Sequence, residues 1–273
     1  MKYAVLHRGD ELSKQLSDKF HQLASEHRLV QDDVQPEIVI SIGGDGTMLQ
    51  AFHRYMNQLD SIAFVGVHTG HLGFYADWKA NEIELLVKLM SEHAVKDVIG
   101  PRIVKYPLIE LSINLDEGIS RSYIALNEFT IKGVDGTVVA QIDINDQLFE
   151  MFRGDGICIS TPSGSTAYNK SLGGAMVHPS IESIQLAEIA SINNRVFRTL
   201  GSSIVLPKHH HFDIYSRKQQ RLLLTIDHIN VPLENLQSVR CQVAHQKVTF
   251  VRYRPFPFWN RVRGAFLGYD EQL

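Results

Sequence analysis

The sequence predicts an α/β N-terminal domain with a parallel sheet, a mostly β C-terminal domain, and a C-terminal helix that packs back on the N-terminal domain. Up to about residue 95, apolar or β-branched runs alternate with stretches of helical spacing, the pattern of a parallel sheet covered on both faces. From about Pro101, short strand candidates separated by turn residues take over. The predicted boundaries are 1–100, with the tail 254–273 returning to it, and 101–253.

Hydrophobic periodicity defines the elements of the N-terminal part. The run at 38–42 is mostly β-branched, which is typical of a strand buried on both faces. Leu12, Leu16, Phe20 and Leu23 recur at helical spacing. In chain order, the predicted strands lie at 3–6, 38–42 and 62–67, and the predicted helices at 12–23, 48–55 and 81–93.

The C-terminal part reads as mostly antiparallel β-structure. We predict one interrupting helix, at about 180–191. Phe258, Val262 and Phe266 are spaced at i, i+4 and i+8, so a short helix closes the chain. The strand candidates lie at 137–144, 147–152, 202–206, 221–226, 239–244 and 247–252.

Composition narrows the class of protein. The chain has 273 residues, 44% of them hydrophobic and 21% charged, as in an ordinary soluble globular protein. Its net charge of -3 implies no general attraction to nucleic acid or to an anionic membrane.

Cys158 and Cys241 show no CxxC spacing, which argues against a zinc site or a disulfide framework. With no signal-peptide core and no long apolar run, the sequence predicts a cytoplasmic protein. The histidine-rich stretch 208–211 is interpreted as a solvated turn.

The stretch EIVISIGGDGTMLQAF places Gly43, Gly44, Asp45, Gly46 and Thr47 between a predicted strand and a predicted helix. Ligands of α/β folds bind at this carboxyl edge, and amides at a helix start suit a phosphate. The alternative is a tight turn without a ligand. An acid among phosphate-binding amides would repel the anion, so Asp45 is better explained as a metal ligand or as the acceptor of a hydroxyl proton.

Other phosphate-binding motifs are absent from the sequence, and two further tripeptides resemble the Gly-Asp-Gly of this turn. No GxxxxGK[ST] occurs, and no GxGxxG follows the first predicted strand. The tripeptides at 134–136 and 154–156 also read x-Asp-Gly, but neither lies between a parallel strand and a helix. The sequence therefore favours Asp45 for catalysis.

Four motifs together resemble one family. GGDGT is shared by NAD kinases, diacylglycerol and sphingosine kinases and, in a near form, phosphofructokinases. ALNEFTI (125–131), GDGICISTPSGSTAYNKSLGG (154–174) and HPSI (178–181) are similar to segments of NAD kinases, closest to the short bacterial type. The resemblance runs from the first strand to the last helix, with Ser163 where many members have Thr.

The resemblance implies a set of dinucleotide-binding residues. Asn127 and Glu128 are expected to be hydroxyl and amide partners of the dinucleotide, and Asp227 and His228 to support the reacting ribose. Phe74 is expected to line the pocket, presented by a turn at His71 and Gly73. On the adenine side of NAD the resemblance places Thr166, Ala167, Tyr168 and Ser171, with Ser163 in its neighbourhood. Asn169 and Lys170 are expected to bind the dinucleotide as well.

Four further residues are expected to act across a subunit boundary. The resemblance implies that Arg153 and Asp155 reach the nicotinamide end of a dinucleotide bound mainly by a neighbouring subunit, with Ala190 and Ile192 in the same wall. For Ala190 and Ile192 helix packing is the competing explanation, and for Arg153 with Asp155 it is a surface ion pair. The expected assembly is a homo-oligomer, a tetramer with sites shared between subunits.

The implied reaction is transfer of a phosphoryl group from ATP to the 2′-hydroxyl of the adenosine ribose of NAD, giving ADP and NADP. Asp45 is expected to accept the hydroxyl proton, while Gly44, Gly46 and Thr47 shape the loop near the phosphates. A divalent cation, Mg²⁺ or Mn²⁺, is expected to bridge the ATP phosphates with few protein ligands. Two alternatives remain at this point: a lipid or sphingoid kinase that shares GGDGT, and a non-catalytic NAD(P)-binding sensor.

Overall fold

The structure is a computed structural model that describes residues 1–70, 73–92, 101–217 and 220–268, without the side chain of residue 117. The chain separates into two compact units. The N-terminal unit comprises Met1–Lys105 together with Val248–Leu273, and the central unit comprises Tyr106–Lys247. His71, predicted to help present Phe74, lies outside the described residues.

The first part of the chain alternates strands and helices. Short 3₁₀ turns follow α2 at Met56–Gln58 and precede α3 at Ala80–Glu82. The elements are β1 (Lys2–His7), α1 (Glu11–Glu26), β2 (Val30–Gln31), β3 (Ile38–Gly43), α2 (Asp45–Tyr55), β4 (Ala63–His68), β5 (Trp78–Lys79) and α3 (Ile83–Glu92).

The rest of the chain is mostly strand. Two 3₁₀ turns occur, at Asp116–Gly118 and Ser163–Thr166. The elements are β6 (Arg102–Leu115), β7 (Ser120–Ala125), β8 (Glu128–Gly133), β9 (Val138–Ile144), β10 (Gln147–Gly154), β11 (Gly156–Ser160), α4 (Tyr168–Ser171), β12 (Ser183–Ile189), β13 (Ile204–Pro207), β14 (His211–Ser216), β15 (Leu222–Ile226), β16 (Ile229–Leu233), β17 (Leu236–Arg252) and α5 (Phe258–Phe266).

A parallel sheet organises the N-terminal unit. Its strand order is β4-β3-β1-β2, β5 pairs with β4, and the end of β17 adds to β4 through Phe250 opposite Phe64. All six residues of β3 are buried, as they must be when helices cover both faces. Leu16 and Phe20 of α1 and Leu86 of α3 pack on one face of this sheet. The carboxyl ends of β3 and β4 therefore lie side by side, at Gly43 and His68.

Two antiparallel sheets form the central unit. One has the order β10-β9-β14-β17, with β17 also paired to β6 and β6 to β7; the other has the order β13-β12-β11-β8-β15-β16. Apolar residues from both sheets, such as Phe152 and Phe212 from the first and Ile159 and Leu224 from the second, belong to one buried cluster. The two sheets thus share a core, and the predicted fold class is confirmed.

The predicted helix at 180–191 is wrong, because this stretch forms strand β12. Its residues Ser183–Ile189 pair with β11 on one side and β13 on the other. Six of the seven residues are buried. Glu, Gln, Leu and Ala favour helix locally, but backbone pairing to two neighbours and burial on both faces override that propensity.

Other predictions of secondary structure are confirmed with shifted bounds. The candidates at 239–244 and 247–252 are one continuous strand, β17, and the predicted closing helix is α5. The histidine-rich stretch divides, since Lys208–His210 form a turn and His211 begins β14. Across the described residues, no helix combines the length and apolarity needed to cross a membrane.

Candidate functional site

The glycine-rich turn of the N-terminal unit joins β3 directly to α2. Gly43 ends the strand and Gly44 is the N-cap of the helix, at φ -98° and ψ -172°. Gly43 is explained by packing, because a Cβ there would lie 2.2 Å from Thr47 Oγ1. Gly44 and Gly46 are different: a Cβ at either would meet no atom of the described part of the chain within 4 Å, and neither has a left-handed φ. Neither internal packing nor backbone conformation requires glycine at these two positions.

A pocket of about 310 Å³ lies in front of this turn. It is lined by Gly44, Gly46 and Thr47, and by Arg8 and Gln50, which the sequence analysis missed. The start of α2 carries partial positive charge, and the exposed guanidinium of Arg8 adds further positive charge, partly offset by Asp10 at 3.4 Å. The pocket therefore suits an anion whose oxygens approach backbone N–H groups.

Asp45 is the first residue of α2 and turns toward the backbone of a neighbouring segment. The amide of Phe74 donates to both carboxylate oxygens of Asp45, at 3.1 and 2.9 Å, and the amide of Tyr75 donates to Oδ1 at 3.1 Å. Gly73 makes this approach possible, since a Cβ there would lie 2.2 Å from Asp45 Oδ1. The carboxylate is thus held at the carboxyl edge of the sheet, next to the pocket-lining glycines.

Burial and charge act on Asp45 in opposite directions. Desolvation raises the pKa of its carboxyl above the ordinary value, and this is the dominant effect. The amides of Phe74 and Tyr75 and the charges of Arg261 and His68 lower that pKa in part. A carboxylate with a raised pKa is a better proton acceptor than an exposed one, because its basicity is closer to neutral pH.

The ring of Phe74 packs on the C-terminal helix. Its centroid lies 6.2 Å from that of Phe258 and 5.7 Å from that of Phe266, both in α5. In the described structure the contact of Phe74 with Asp45 is made by its backbone amide. Phe74 was expected to line a pocket, and the structure gives it this anchoring role.

In the central unit, Asp227 organises the segment that contains Asn127 and Glu128. Asp227 sits in the hairpin between β15 and β16 with φ 52°, and its neighbour His228 is exposed. The carboxylate of Asp227 accepts hydrogen bonds from the amides of Leu126, Asn127 and Glu128, at 3.0, 2.7 and 3.2 Å. The segment that enters β8 is thereby fixed.

The face of β8 opposite the core lines a second pocket, of about 220 Å³. Alternation along the strand puts Glu128, Thr130 and Lys132 on this face, while Phe129 and Ile131 enter the core. Thr225, which pairs with Thr130, completes the lining together with Tyr168 and Asp227. Thr130, Lys132 and Thr225 were not predicted from the sequence; period-2 alternation in EFTIKG was the available signal for the first two.

Tyr168 and Lys132 form a pair at this pocket. The ammonium of Lys132 donates to the Tyr168 hydroxyl at 3.1 Å and lies 4.5 Å from the centre of its ring. This contact fixes the ring orientation and leaves a flat aromatic surface available to a planar group.

Burial acts strongly on the carboxyl group of Glu128 at this site. Burial raises the pKa of Glu128 to about 8, and the nearby negative charge of Asp227 adds to the effect. Its Oε2 atom is buried and has no hydrogen-bond partner among the described residues. A buried, unpartnered carboxyl oxygen is costly in a folded chain, so this atom indicates a group that forms its hydrogen bond with a ligand.

The TPSGSTAY loop uses most of its polar side chains internally. Thr161 and Ser163 donate to Leu126 O at 2.7 and 3.2 Å, and Thr166 donates to Ser163 O at 3.2 Å. Asn169 is fully buried. A Cβ at Gly164 would lie 2.0 Å from Asn127 O, so the loop packs directly on the Asn127 backbone. These residues fix the loop, whereas Ala167, Tyr168, Lys170 and Ser171 keep some exposure.

Arg153, Asp155, Ala190 and Ile192 lie together at one end of the central unit. Ile192 N donates to Arg153 O at 2.7 Å, and Asp155 N donates to Ile189 O at 2.9 Å. Ala190 has φ 46° and is exposed, as is the side chain of Ile192. The helix-packing explanation for Ala190 and Ile192 is wrong, because they follow strand β12.

The surface ion pair between Arg153 and Asp155 is not formed in the described structure. Arg153 Nε donates to Thr137 at 3.2 Å, and its guanidinium carbon lies 5.4 Å from the ring centre of Phe197.

A group of Asp146, His211 and Asp213 meets the simplest geometric requirement for a cation site within the described residues. Arg240 already occupies it, with its guanidinium bonded to Asp146 at 2.6 Å and to Asp213 at 2.7 and 2.8 Å. Because this cation satisfies both carboxylates, we do not assign a metal to the group.

Comparison with known proteins identifies the domains and relatives. Residues 10–95 match the ATP-NAD kinase N-terminal domain, and residues 126–253 match the ATP-NAD kinase C-terminal domain. "NAD kinase 1" of Bacillus subtilis (strain 168) is 53% identical over 272 residues, covering 99% of this chain and 100% of that protein. "NAD kinase" of Staphylococcus aureus (strain JH9) is 49% identical over 274 residues, covering 100% of both.

Solved structures share the fold. The yeast NADH kinase complexed with NADH superposes with a TM-score of 0.79 at 18% identity, covering 100% of this chain and 89% of that one. An NAD kinase from Archaeoglobus fulgidus in complex with ATP superposes with a TM-score of 0.74 at 18% identity, covering 98% of both chains.

Proposed function

This chain belongs to the ATP-NAD kinase family and phosphorylates NAD, and we propose that the residues described above divide the steps of that reaction as follows. The γ-phosphoryl group of ATP passes to the 2′-hydroxyl of the adenosine ribose of NAD, giving NADP and ADP. The glycine-rich turn binds the phosphates of ATP, and Asp45 accepts the hydroxyl proton. The β8 pocket and the TPSGSTAY loop bind the dinucleotide.

One observation carries the assignment of the glycine-rich turn. Gly44 and Gly46 line a pocket, yet no atom of the described residues and no unusual φ explains why they lack side chains. A ligand that approaches their backbone explains both at once, because a side chain would obstruct it. Amides at the start of α2 and the charge of Arg8 favour phosphate oxygens.

For Asp45 we propose the role of proton acceptor. The 2′-hydroxyl oxygen of NAD forms a bond to the γ-phosphorus, the bond from that phosphorus to the bridging β–γ oxygen breaks, ADP leaves, and the hydroxyl proton passes to the Asp45 carboxylate. The ribose hydroxyl is a weak nucleophile, so most of the catalysis comes from positioning and charge neutralisation. The amides of Phe74 and Tyr75 keep the carboxylate in one orientation for this step.

For the dinucleotide we propose the pocket on the outer face of β8. Adenine stacks on Tyr168, whose ring is oriented by Lys132. Glu128 carries its proton at neutral pH, so it donates a hydrogen bond to the dinucleotide through the carboxyl group that has an unpartnered oxygen. Asn127, Ser163, Thr166, Asn169 and Asp227 hold this surface in shape, and Ala167, Lys170, Ser171 and His228 border it.

The divalent cation is proposed to enter with ATP as part of the substrate. The carboxylate oxygens of Asp45 already accept three amide hydrogen bonds, and Arg240 fills the acidic group at Asp146 and Asp213. The described residues thus present few protein ligands, which fits Mg²⁺ or Mn²⁺ held mainly by phosphates and water. Bound there, the cation neutralises phosphate charge.

The assembly and the compartment complete the proposal. We propose a homo-oligomer, a tetramer, in which Arg153, Asp155, Ala190 and Ile192 contact the nicotinamide end of a dinucleotide bound by a neighbouring subunit. The exposure of Ile192 and Ala190 supports a role in contacts outside their own chain. The two free, buried cysteines support a reducing compartment, the cytoplasm.

The alternatives from the sequence are less well supported. A lipid or sphingoid kinase accounts for GGDGT, but it does not account for matches to both ATP-NAD kinase domains. A non-catalytic sensor gains nothing from a carboxylate with a raised pKa beside a phosphate pocket.

A coupled assay of NADP formation tests the assignment of Asp45. Asp45→Asn should reduce kcat by about 10²-fold or more, the range for a positioned acid–base group. NAD affinity, measured by calorimetry, should stay near the wild-type value. Wild-type turnover by a folded Asp45→Asn enzyme would contradict the proposed role and make Asp227 the next candidate for the base.

A further inference from the structure

The segment Gly73–Asp77 of the N-terminal unit is bonded on two sides. Its amides, at Phe74 and Tyr75, donate to Asp45. Its carbonyls accept from arginines near the C-terminus: Arg261 Nη1 donates to Gly73 O at 2.8 Å and also to Ala76 O. Arg252 Nη1 donates to Tyr75 O at 3.1 Å. The peptide group whose Phe74 N–H bonds Asp45 is therefore itself held by Arg261, 188 positions away in sequence, through the Gly73 carbonyl, and Arg252, 177 positions away, holds the carbonyl of Tyr75 in the same segment.

A buried carboxylate joins the two arginines. Asp77 Oδ1 lies 2.5 Å from Arg252 Nη1 and 3.2 Å from Arg261 Nη2, and the side chains of all three are at most 8% exposed. The ring of Phe256 lies against both cations, 4.0 Å from the Arg252 guanidinium carbon and 4.1 Å from that of Arg261. Removal of one partner from such a network leaves a buried charge uncompensated. The three side chains therefore stabilise one another in this arrangement.

We propose that Arg261 and Arg252, joined through Asp77, are positioning residues that hold Asp45 in its catalytic orientation by fixing the Gly73–Asp77 segment. This inference rests on the proposed role of Asp45 as proton acceptor. Displacement of the Phe74 and Tyr75 amides by a fraction of an ångström changes the position of the Asp45 carboxylate that they bind. Such errors of position lower the rate of catalysis.

Arg261 also acts on the charge of Asp45. Its cation lowers the pKa of Asp45, against the larger effect of burial, and the amides of Phe74 and Tyr75 and the charge of His68 at the end of β4 act in the same direction as Arg261. Loss of the cation should therefore raise the pKa of Asp45, so that the base is protonated up to a higher pH. A role limited to folding stability predicts no such shift.

The primary experiment compares kcat, KM and pH profiles of the full-length enzyme. Arg261→Met should lower kcat by about 10- to 100-fold, leave KM for NAD within about 2-fold, and move the acidic limb of the kcat profile to higher pH. Arg261→Lys keeps the charge but loses the fork, so its kcat should fall by about 10-fold without a shift of that limb. Arg252→Lys should resemble Arg261→Lys.

Arg254→Met is the matched control. Arg254 comes from the same part of the chain and also contacts an acid and an aromatic ring, with Glu82 at 3.0 Å and the Trp78 ring centre at 3.6 Å. Its side chain is more exposed, at 29%, and among the described residues it donates no hydrogen bond to the Gly73–Asp77 segment. Its removal should lower the thermal midpoint without a change of kcat or of the pH limb.

A double-mutant cycle with Asp45→Asn links the effect to Asp45. If Arg261 acts through Asp45, then Arg261→Met should cause little further loss of kcat in the Asp45→Asn background. Full additivity, or a folded Arg261→Met enzyme with wild-type kcat, would overturn the inference. If Arg261→Met does not fold, wild-type kcat in Arg261→Lys overturns it instead.

The failure of the two proposals is distinguishable. Full turnover by Asp45→Asn would contradict the proposed role of Asp45 as the base. An inactive Asp45→Asn together with a fully active Arg261→Met would contradict only the positioning role of Arg261.

Discussion

Replacing Gly46 by alanine separates a requirement of the fold from a requirement of the ligand. Among the residues that the structure describes, none has an atom within 4 Å of a Cβ placed at Gly46, which is the second residue of α2. Alanine costs less conformational entropy than glycine in a helix, so Gly46→Ala should stabilise the protein by about 0.5–1 kcal/mol. For a chain of this size the thermal midpoint should rise by about 1–4 °C.

The same methyl group should oppose ATP binding. It would project into the pocket lined by Arg8, Gly44, Gly46 and Thr47, where we place the phosphates. Overpacking of a tight contact costs about 1–3 kcal/mol, equivalent to about 5- to 150-fold in affinity. Gly46→Ala should therefore be more stable than the wild type and bind ATP more weakly, while NAD affinity stays unchanged.

Gly43→Ala is the control for this experiment. Its Cβ would lie 2.2 Å from Thr47 Oγ1 and 3.1 Å from Arg8 Cβ, so this variant should lose stability. Thermal unfolding measures the stability of each variant, and calorimetric titration with Mg-ATP and with NAD measures its affinity for each nucleotide. The reasoning is refuted if Gly46→Ala binds ATP with wild-type affinity, or if its thermal midpoint falls as that of Gly43→Ala does.

Three further predictions concern the central unit. Tyr168→Ala should weaken NAD more than ATP in calorimetric titrations, and Tyr168→Phe, which keeps the ring, should bind NAD nearly as the wild type does; equal losses for both nucleotides would exclude stacking. The folded-state pKa of Glu128 is about 8 against an ordinary value of 4.5, so its contribution to stability is lost as pH rises through about 8. The urea midpoint of Glu128→Gln, taken relative to that of the wild type, should then be higher at pH 9 than at pH 6. A difference between the two midpoints that does not change with pH would contradict the raised pKa. If subunits share sites, mixing inactive Asp45→Asn with inactive Asp155→Arg should partly restore activity, because one of two reciprocal sites receives neither lesion; confirmed subunit exchange without activity would place the site within one chain.

Local pattern was sufficient for the elements whose environment is uniform. The β-branched run that forms β3 and the apolar spacing of α1 each report burial on fixed faces, and both elements have the predicted type. The place of Asp45 at a strand-to-helix junction follows from the order of these elements along the chain. The GGDGT, ALNEFTI and TPSGSTAY motifs are contiguous, so they carried the family resemblance without any tertiary information.

Tertiary pairing decided the elements with ambiguous local signals. Residues 183–189 contain good helix formers, yet they are a strand because β11 and β13 offer backbone partners on both sides. Their burial comes from packing on the faces of the sheet, and no periodicity within the stretch could distinguish it from a buried helix.

Tertiary contacts also decided the roles of individual residues. The three glycines of the turn look alike in sequence, but only Gly43 is packed against a side chain. Arg8 and Arg261 lie far from the motifs in sequence and Lys132 directly follows ALNEFTI, but each acquires its role from what lies opposite it in the fold. A sequence records residue types and local spacing, whereas charge neutralisation, hydrogen-bond partners and desolvation depend on distances between elements that are set only when the chain packs.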